Sequence, residues 1–315
     1  MGVDNVKLKV LMSTYNGEEY LAEQLDSLLA QTIIKKAGYE IEILVRDDGS
    51  KDGTRDILRE YAGKEDCIWV FEEENVGVIE SFFRLIDLSE DADYLAFCDQ
   101  DDVWMPEKLE RALGKMSERA PDGKKPLLYC GRPLLTDAGL RPIKTVWPEE
   151  KLRPSFGNAL IENICVGCTC VMNRPLIDIF RKGHPSYTSM HDRWFYLVAS
   201  CFGEVIYDTE PFICYRQHGE NVVGMKKNRF QEFRERLGSY RKKRGVTARQ
   251  AASFLEFCSS HRLELPAPQR TLAEDAAHMD KHLKIRFRFL RNKAVYRQRK
   301  GDDLLYKLLI LFGAV

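Results

Sequence analysis

The chain has no long apolar run: nowhere in its 315 residues do about 18 consecutive apolar residues occur, the length that a membrane-spanning helix needs. Its opening residues, Met1 to Val6, also lack the basic-then-apolar order of a secretory signal. A cytoplasmic protein is expected. Nucleotide-binding glycine loops are missing as well. Neither G-x-x-x-x-G-K-[ST] nor G-x-G-x-x-G occurs, which argues against an ATPase and against a dehydrogenase. The nine cysteines are an odd number scattered through apolar stretches, as at Cys67, Cys98, Cys130 and Cys214, and they read as buried thiols of a reducing compartment. The cluster Cys165-Val166-Gly167-Cys168-Thr169-Cys170 has no second Cys or His pair at zinc-site spacing, so it reads as a buried strand entering from a glycine loop. No internal repeat is present.

What remains is an ordinary globular composition, with 44% hydrophobic and 30% charged residues, in a chain long enough for one large domain plus an appendage. Lys+Arg and Asp+Glu both number 48, yet the charge is unevenly placed. From Met225 onward there are 22 basic and 9 acidic residues, so the preceding part is acidic by the same margin. We expect a catalytic domain over residues 1–224, with a first part to about 120 and a second to 224, and a basic helical region over 225–315.

Short apolar runs alternate with amphipathic segments through the first hundred residues, the pattern of strand-helix units around a mostly parallel sheet. Strands are expected at Lys7–Ser13, Glu40–Arg46, Ile68–Phe71 and Tyr94–Cys98. Later strands are expected at Leu127–Cys130, Cys168–Met172, Val205–Tyr207 and Phe212–Arg216. Asn16 is the expected cap of the first helix, with Glu19 as its reciprocal partner. Residues 132–163, with four prolines, are expected to be irregular, and Pro266 and Pro268 to divide the basic helical region.

In open parallel sheets, ligands bind beyond the carboxyl ends of the strands. Here those ends carry acids: Asp47 and Asp48 after the second strand, then Asp99, Asp101 and Asp102 after the fourth. Carboxylates that close repel one another and raise one another's pKa unless a positive charge intervenes. A divalent cation is the simplest remedy, and oxygen-only ligands point to Mg²⁺ or Mn²⁺ bridging one or two carboxylates to a bound diphosphate. For any single aspartate, a turn or capping role is the alternative.

Four ordered segments, Val10 to Glu18, Arg46 to Thr54, Asn75-Val76-Gly77 and Cys98 to Trp104, resemble the family 2 glycosyltransferases of the GT-A fold over about the first 220 residues. Cys98 to Trp104, Met190 to Trp194 and Tyr215 to Asn221 are most similar to bacterial rhamnosyltransferase-type enzymes of cell-wall and capsular polysaccharide synthesis. The resemblance implies that Ser13, Thr14 and Tyr15 line the nucleotide base and that Asp48 hydrogen-bonds it. Asp99 and Asp101 match the DxD element: Asp101 as metal ligand, Asp99 on ribose or metal. Asp192 falls where such enzymes carry the base that deprotonates the acceptor hydroxyl, which implies inversion; a helix-start aspartate is the alternative. His218 is a candidate metal ligand or a structural histidine. Trp104 and Trp194 are candidates for stacking on sugar, or for core packing.

The basic region ends in Lys281-His282-Leu283-Lys284-Ile285-Arg286-Phe287-Arg288-Phe289-Leu290-Arg291 and the apolar Leu304–Phe312. This composition suits a helix on an anionic membrane face, giving a peripheral location at the inner face. Packing on the acidic domain and homo-oligomer formation are the alternatives, and no nucleic-acid module is recognisable. The expected activity is metal-dependent inverting transfer of a hexose or deoxyhexose, rhamnose included, from a nucleotide diphosphate sugar to a glycan or lipid-linked glycan. A sugar nucleotidyltransferase would instead carry a Gly-rich basic loop after strand one, and a non-catalytic carbohydrate-binding relative would have lost Asp101 or Asp192.

Overall fold

A computed structural model of the chain describes residues 5–143, 152–217 and 245–313. The described chain forms two compact units, the first comprising Met1–Lys151, Cys165–Arg181 and Gly203–Gly219, and the second Leu152–Ile164, Lys182–Phe202 and Glu220–Val315. Two short segments from the middle of the chain thus join the basic C-terminal region in one unit, where the sequence suggested a single boundary near 224.

The first unit is built on strands β1 (Val6–Thr14), β2 (Tyr39–Asp47), β3 (Ile68–Glu72) and β4 (Tyr94–Cys98), which lie in the parallel order β3-β2-β1-β4. β1 is an interior strand, and Val10, Leu11 and Met12 are all buried, which is why they read as a continuous apolar run. Helices α1 (Leu21–Leu29), α2 (Thr54–Ala62) and α3 (Val78–Asp87) follow successive strands. α1 buries a stripe of Leu21, Leu25 and Leu28, and α3 buries Phe82, Phe83, Leu85 and Ile86.

Beyond β4 come a two-residue strand β5 (Val103–Trp104), helix α4 (Lys108–Arg119), β6 (Leu127–Gly131) and β7 (Leu134–Thr136). In the second unit, α5 (Phe156–Ile161) lies within the segment expected to be irregular. Ser155 caps it, accepting a hydrogen bond from the Asn158 N–H at 3.2 Å. The cysteine cluster forms a 3₁₀ turn at Gly167–Thr169 leading to β8 (Val171–Asn173), a shorter strand than expected. Helices α6 (Arg174–Phe180) and α7 (His191–Phe202) precede β9 (Glu204–Asp208) and β10 (Ile213–Arg216).

The main sheet has seven strands, ordered β3-β2-β1-β4-β8-β6-β9, with β8 antiparallel to both neighbours. A second sheet, β5-β10-β7, holds β10 antiparallel to β5 and parallel to β7. The second unit continues with α8 (Val246–Ser260), α9 (Ala267–His278), α10 (Leu283–Arg291) and α11 (Lys300–Leu311). Pro266 and Pro268 mark the start of α9, as their missing N–H groups favour.

One capping expectation fails. α1 begins at Leu21 with Tyr20 before it, and Asn16 sits in the left-handed region at φ 49°. Its Oδ1 accepts instead from the Lys51 N–H at 2.9 Å, tying the loop after β1 to the loop after β2. Asparagine is among the few residues besides glycine that visit that conformation.

Candidate active site

Register determines which groups meet at the carboxyl edge of the main sheet. Thr14 pairs with Asp47 and Met12 with Cys98, so Tyr15, Asp48 and Asp99 emerge along one edge. Gln100 fastens two of these ends: its Oε1 accepts from the Tyr15 N–H at 2.8 Å, and its Nε2 donates to the Tyr15 carbonyl at 3.2 Å. The loops after β1 and β2 are joined likewise. The Asn16 N–H donates to Ser50 Oγ, the Gly17 N–H to Thr54 Oγ1, and the Gly53 N–H to Glu18 Oε2.

Asp48 is buried, and its carboxylate is engaged within the protein. Oδ1 accepts from Arg46 Nη1 at 2.5 Å and from the Val76 N–H at 2.8 Å, while Oδ2 accepts from the Gly77 N–H at 2.9 Å. Asp48 therefore organises the Asn75-Val76-Gly77 loop. Oδ2 retains a second lone pair with which to accept from a nucleotide base. Gly49 stands at φ 85°, with the Asn75 backbone nitrogen 3.0 Å from where a β-carbon would lie, which accounts for glycine in this turn.

The remaining base-lining candidates differ in access. Tyr15 is exposed; Ser13 is half-buried and its hydroxyl lies 2.7 Å from that of Ser81; Thr14 is fully buried, with its hydroxyl 3.4 Å from Asp47 Oδ1. Trp104 corrects the stacking expectation. It is buried in the main core, with the Lys108 ammonium 3.1 Å from its ring centroid, so no face is offered to a sugar. A two-residue strand pairing with β10 turns the indole inward. Trp194 is likewise core, packed edge-on against Phe257 at 5.2 Å.

The acidic loop after β4 has graded burial. Asp99 and Asp101 are half-buried and Asp102 is fully buried. Asp99, Asp102 and the Cys168 thiol offer ligand atoms all within 4.8 Å of one another, so this grouping keeps Asp99 but sets Asp102 and Cys168 beside it rather than Asp101. Burial, then the charges of Asp99 and Asp101, push the Asp102 carboxyl well above the usual carboxylate range. Its Oδ2 is buried, and among the described residues the Cys168 thiol is the side chain that hydrogen-bonds this carboxyl. Burial and the neighbouring Asp102 also push the Cys168 thiol up, so it stays protonated and the available donors are carboxylate oxygens. Carboxylates crowded closely enough to act on one another's ionisation fit a hard divalent cation such as Mg²⁺ or Mn²⁺. His218, the other metal-ligand candidate, lies outside the described residues.

Two groups around this loop escaped the sequence reading. Arg216 on β10 is buried and donates from Nε to the Asp101 carbonyl at 2.8 Å, from its other nitrogens to the Ala138 carbonyl and Glu23, and from its backbone N–H to Asp102 Oδ1 at 3.1 Å. Its guanidinium also covers the Tyr20 ring. The Tyr215 to Asn221 segment contains this residue, but nothing in its spacing marks the arginine as the brace. Lys108 is fully buried at the start of α4, and burial lowers its pKa to about 8.

Asp192 belongs to the second unit. It lies in the first turn of α7, buried, with Oδ1 accepting from the Arg193 N–H at 2.6 Å. It lines a cavity of about 510 Å³ together with Glu162, Ser189, Arg193, Arg297 and Tyr306. The polar walls are braced: Arg193 Nη1 donates to Ser189 Oγ at 3.1 Å, Arg193 Nη2 to the Leu160 carbonyl, and Arg297 pairs with Glu162 at 3.2 Å.

A mostly parallel sheet whose carboxyl edge carries a stitched loop pair and a carboxylate cluster has the architecture of the GT-A nucleotide-sugar transferases. The model of Glycosyl transferase family 2 matches residues 9–178. The chain belongs to that family and is a glycosyltransferase. Among curated proteins it is similar to dTDP-rhamnosyl transferase RfbG of Shigella flexneri, 29% identical over 74% of this chain and 80% of that protein. It is also similar to the putative teichuronic acid biosynthesis glycosyltransferase TuaG of Bacillus subtilis, 31% identical over 52% of this chain and 61% of that protein. Among solved structures, residues 1–349 of S. aureus TarS with UDP-GlcNAc give a TM-score of 0.56 at 18% identity, covering 98% of this chain and 91% of that one. The mannosyltransferase PcManGT from Pyrobaculum calidifontis with GDP-Man and Mn²⁺ gives 0.52 at 17% identity, covering 98% and 86%. These structural likenesses support the GT-A fold.

Proposed function

We propose that the protein is an inverting, metal-dependent glycosyltransferase that moves a hexose or deoxyhexose, rhamnose in particular, from a nucleotide diphosphate sugar to a hydroxyl of a bacterial surface glycan. The single observation that carries the reading is the acidic loop after β4, where a ligand oxygen of the buried Asp102 lies within 4.8 Å of one of Asp99. Asp99 and Asp101, with Asp102 behind them, are the residues that would hold Mg²⁺ or Mn²⁺. Such a cation, when bound, neutralises the charge of the departing diphosphate. Tyr15 and Ser13 lie on the same sheet edge for the nucleoside, and Asp48 fixes the Asn75–Gly77 loop beside it.

An acceptor hydroxyl is a weak nucleophile, and a carboxylate within hydrogen-bond reach raises its reactivity by taking the proton as the bond to the anomeric carbon forms. We assign that role to Asp192. The surrounding cavity, with paired arginines, carboxylates and hydroxyls, has the balanced polarity that sugar hydroxyls require. Rhamnose as the sugar is supported by the relative RfbG, and a surface polysaccharide as the product by RfbG and TuaG. We further propose the division of labour expected from sequence, with donor chemistry in the N-terminal part and a separate role for the basic helical region.

A donor panel tests the reading. Purified protein with Mn²⁺ or Mg²⁺ is offered nucleotide diphosphate sugars, dTDP-rhamnose among them, with and without candidate glycan acceptors, and nucleoside diphosphate release is scored. Acceptor-stimulated, metal-dependent release from a deoxyhexose donor is expected. Release that is indifferent to chelator overturns the metal role, and release from none of the deoxyhexose donors overturns the sugar assignment.

A further inference from the structure

The last two helices each bury one face and expose a second apolar one. In α11, Tyr306, Leu309 and Ile310 are buried, whereas Leu304, Leu308 and Phe312, one turn apart along the opposite side, are 63%, 43% and 79% exposed. In α10, Phe289 is buried while Leu283 and Phe287 lie 58% and 49% exposed. The two helices pack on one another, and the Arg286 guanidinium lies against Gly313 at the end of α11. Core burial therefore explains one side of each helix and leaves the other unexplained. Five large apolar side chains exposed on two helices that pack together exceed the scattered exposure normal for a surface.

Charge identifies the occupant. Residues 281–300 contain nine Lys or Arg and no Asp or Glu. Lys281, Lys284, Arg291, Lys293 and Lys300 are all exposed, while Arg288 is tied to Asp275. Apolar side chains framed by cations match an anionic bilayer, in which aromatic and aliphatic groups enter the headgroup boundary and lysines meet lipid phosphates. A symmetric contact with a second copy would bring the same cations face to face. Among the described residues no helix is long and apolar enough to cross a membrane, so contact of this kind is interfacial.

We infer that α10 and α11 form a docking surface for an anionic lipid bilayer, through Leu283, Phe287, Leu304, Leu308 and Phe312 with the cations around them. This stands independently of the donor and acceptor chemistry above.

The test is co-sedimentation of the full chain with phosphatidylcholine vesicles and with vesicles of phosphatidylglycerol mixed into phosphatidylcholine. Partition onto the anionic vesicles is expected to exceed the neutral value by about tenfold and to weaken as salt rises. The variant Leu304→Ser/Leu308→Ser should lose most of the binding, and Lys284→Glu/Arg291→Glu should lose the preference for anionic lipid. These side chains are exposed, so both variants should keep the thermal transition and nucleoside diphosphate release of the parent. Equal partition onto both vesicle types, or unchanged binding by both variants, overturns the proposal. So does self-association in sedimentation velocity that Leu304→Ser/Leu308→Ser abolishes without any effect on lipid.

Discussion

Arg216 donates from Nε to the carbonyl oxygen of Asp101 at 2.8 Å, and its own backbone N–H donates to Asp102 Oδ1 at 3.1 Å. One residue of β10 thus holds two consecutive positions of the acidic loop, although 115 positions of sequence separate Arg216 from Asp101. The guanidinium is buried and reaches the Ala138 carbonyl and Glu23 at the same time, so the loop is anchored to α1 and to the turn after β7.

A planar fork that satisfies three acceptors cannot be replaced by an ammonium. Arg216→Lys should keep the charge and the fold but let the loop relax. Affinity for a nucleotide diphosphate sugar in the presence of Mn²⁺ is expected to fall by about tenfold, since small displacements of positioning groups are amplified in binding and rate. Calorimetric titration gives the value; unchanged affinity would mean that the loop is held by other contacts.

Asp48 and Arg46 form a buried pair, with side chains 4% and 0% exposed. Asp48→Ala removes the carboxylate, leaves Arg46 with the half-exposed Glu73 as its remaining acidic partner, and frees the N–H groups of Val76 and Gly77. Breaking such a pair costs about 3–5 kcal/mol. Urea unfolding should show a loss of that order, with a smaller loss for Asp48→Asn, whose amide oxygen still accepts.

Lys108 makes a pH prediction. Burial lowers its pKa to about 8 from the ordinary 10.5, so across that window the unfolded chain holds a proton that the folded chain has released. Stability contributed at this position therefore rises with pH between those values, and below the window the buried ammonium opposes folding. The unfolding free energy of the parent minus that of Lys108→Met should climb by a few kcal/mol from neutral to pH 10.5, at about 1.4 kcal/mol per unit of pKa difference. A flat difference would show that the ammonium is not penalised by its surroundings.

Asp192→Asn separates proton removal from binding. Donor affinity should be unchanged and turnover should fall by about 10² or more, the scale of general-base loss. An effect confined to KM would refute the assignment.

The parallel half of the fold was legible because period and punctuation agreed. Tyr94–Cys98 matches the observed strand at both ends, and the Leu21, Leu25, Leu28 stripe marked α1. Where a local signal had two competing uses, reading failed. Asn16 is a good cap by composition, yet a contact 35 residues away holds its side chain. Ser155 was an equally good cap and lay hidden in a proline-rich stretch. The aspartates of the site were visible because carboxylates at strand ends are conspicuous. Arg216 and Lys108 were not, because their roles depend on contacts between distant segments. Trp104 shows the converse: its neighbours in sequence suggested a ligand, and pairing with β10 buried it.

The central claim is that the aspartates after β4 hold a cation that grips the donor's diphosphate. The most direct measurement is calorimetric titration of a nucleotide diphosphate sugar into the parent protein and into Asp101→Asn, each with Mn²⁺ and with chelator. The account predicts that Mn²⁺ tightens binding to the parent by about tenfold or more and has little effect on the variant, as loss of a charge-bearing ligand implies. Equal tightening in both proteins, or tight binding to the parent that chelator leaves intact, would contradict it.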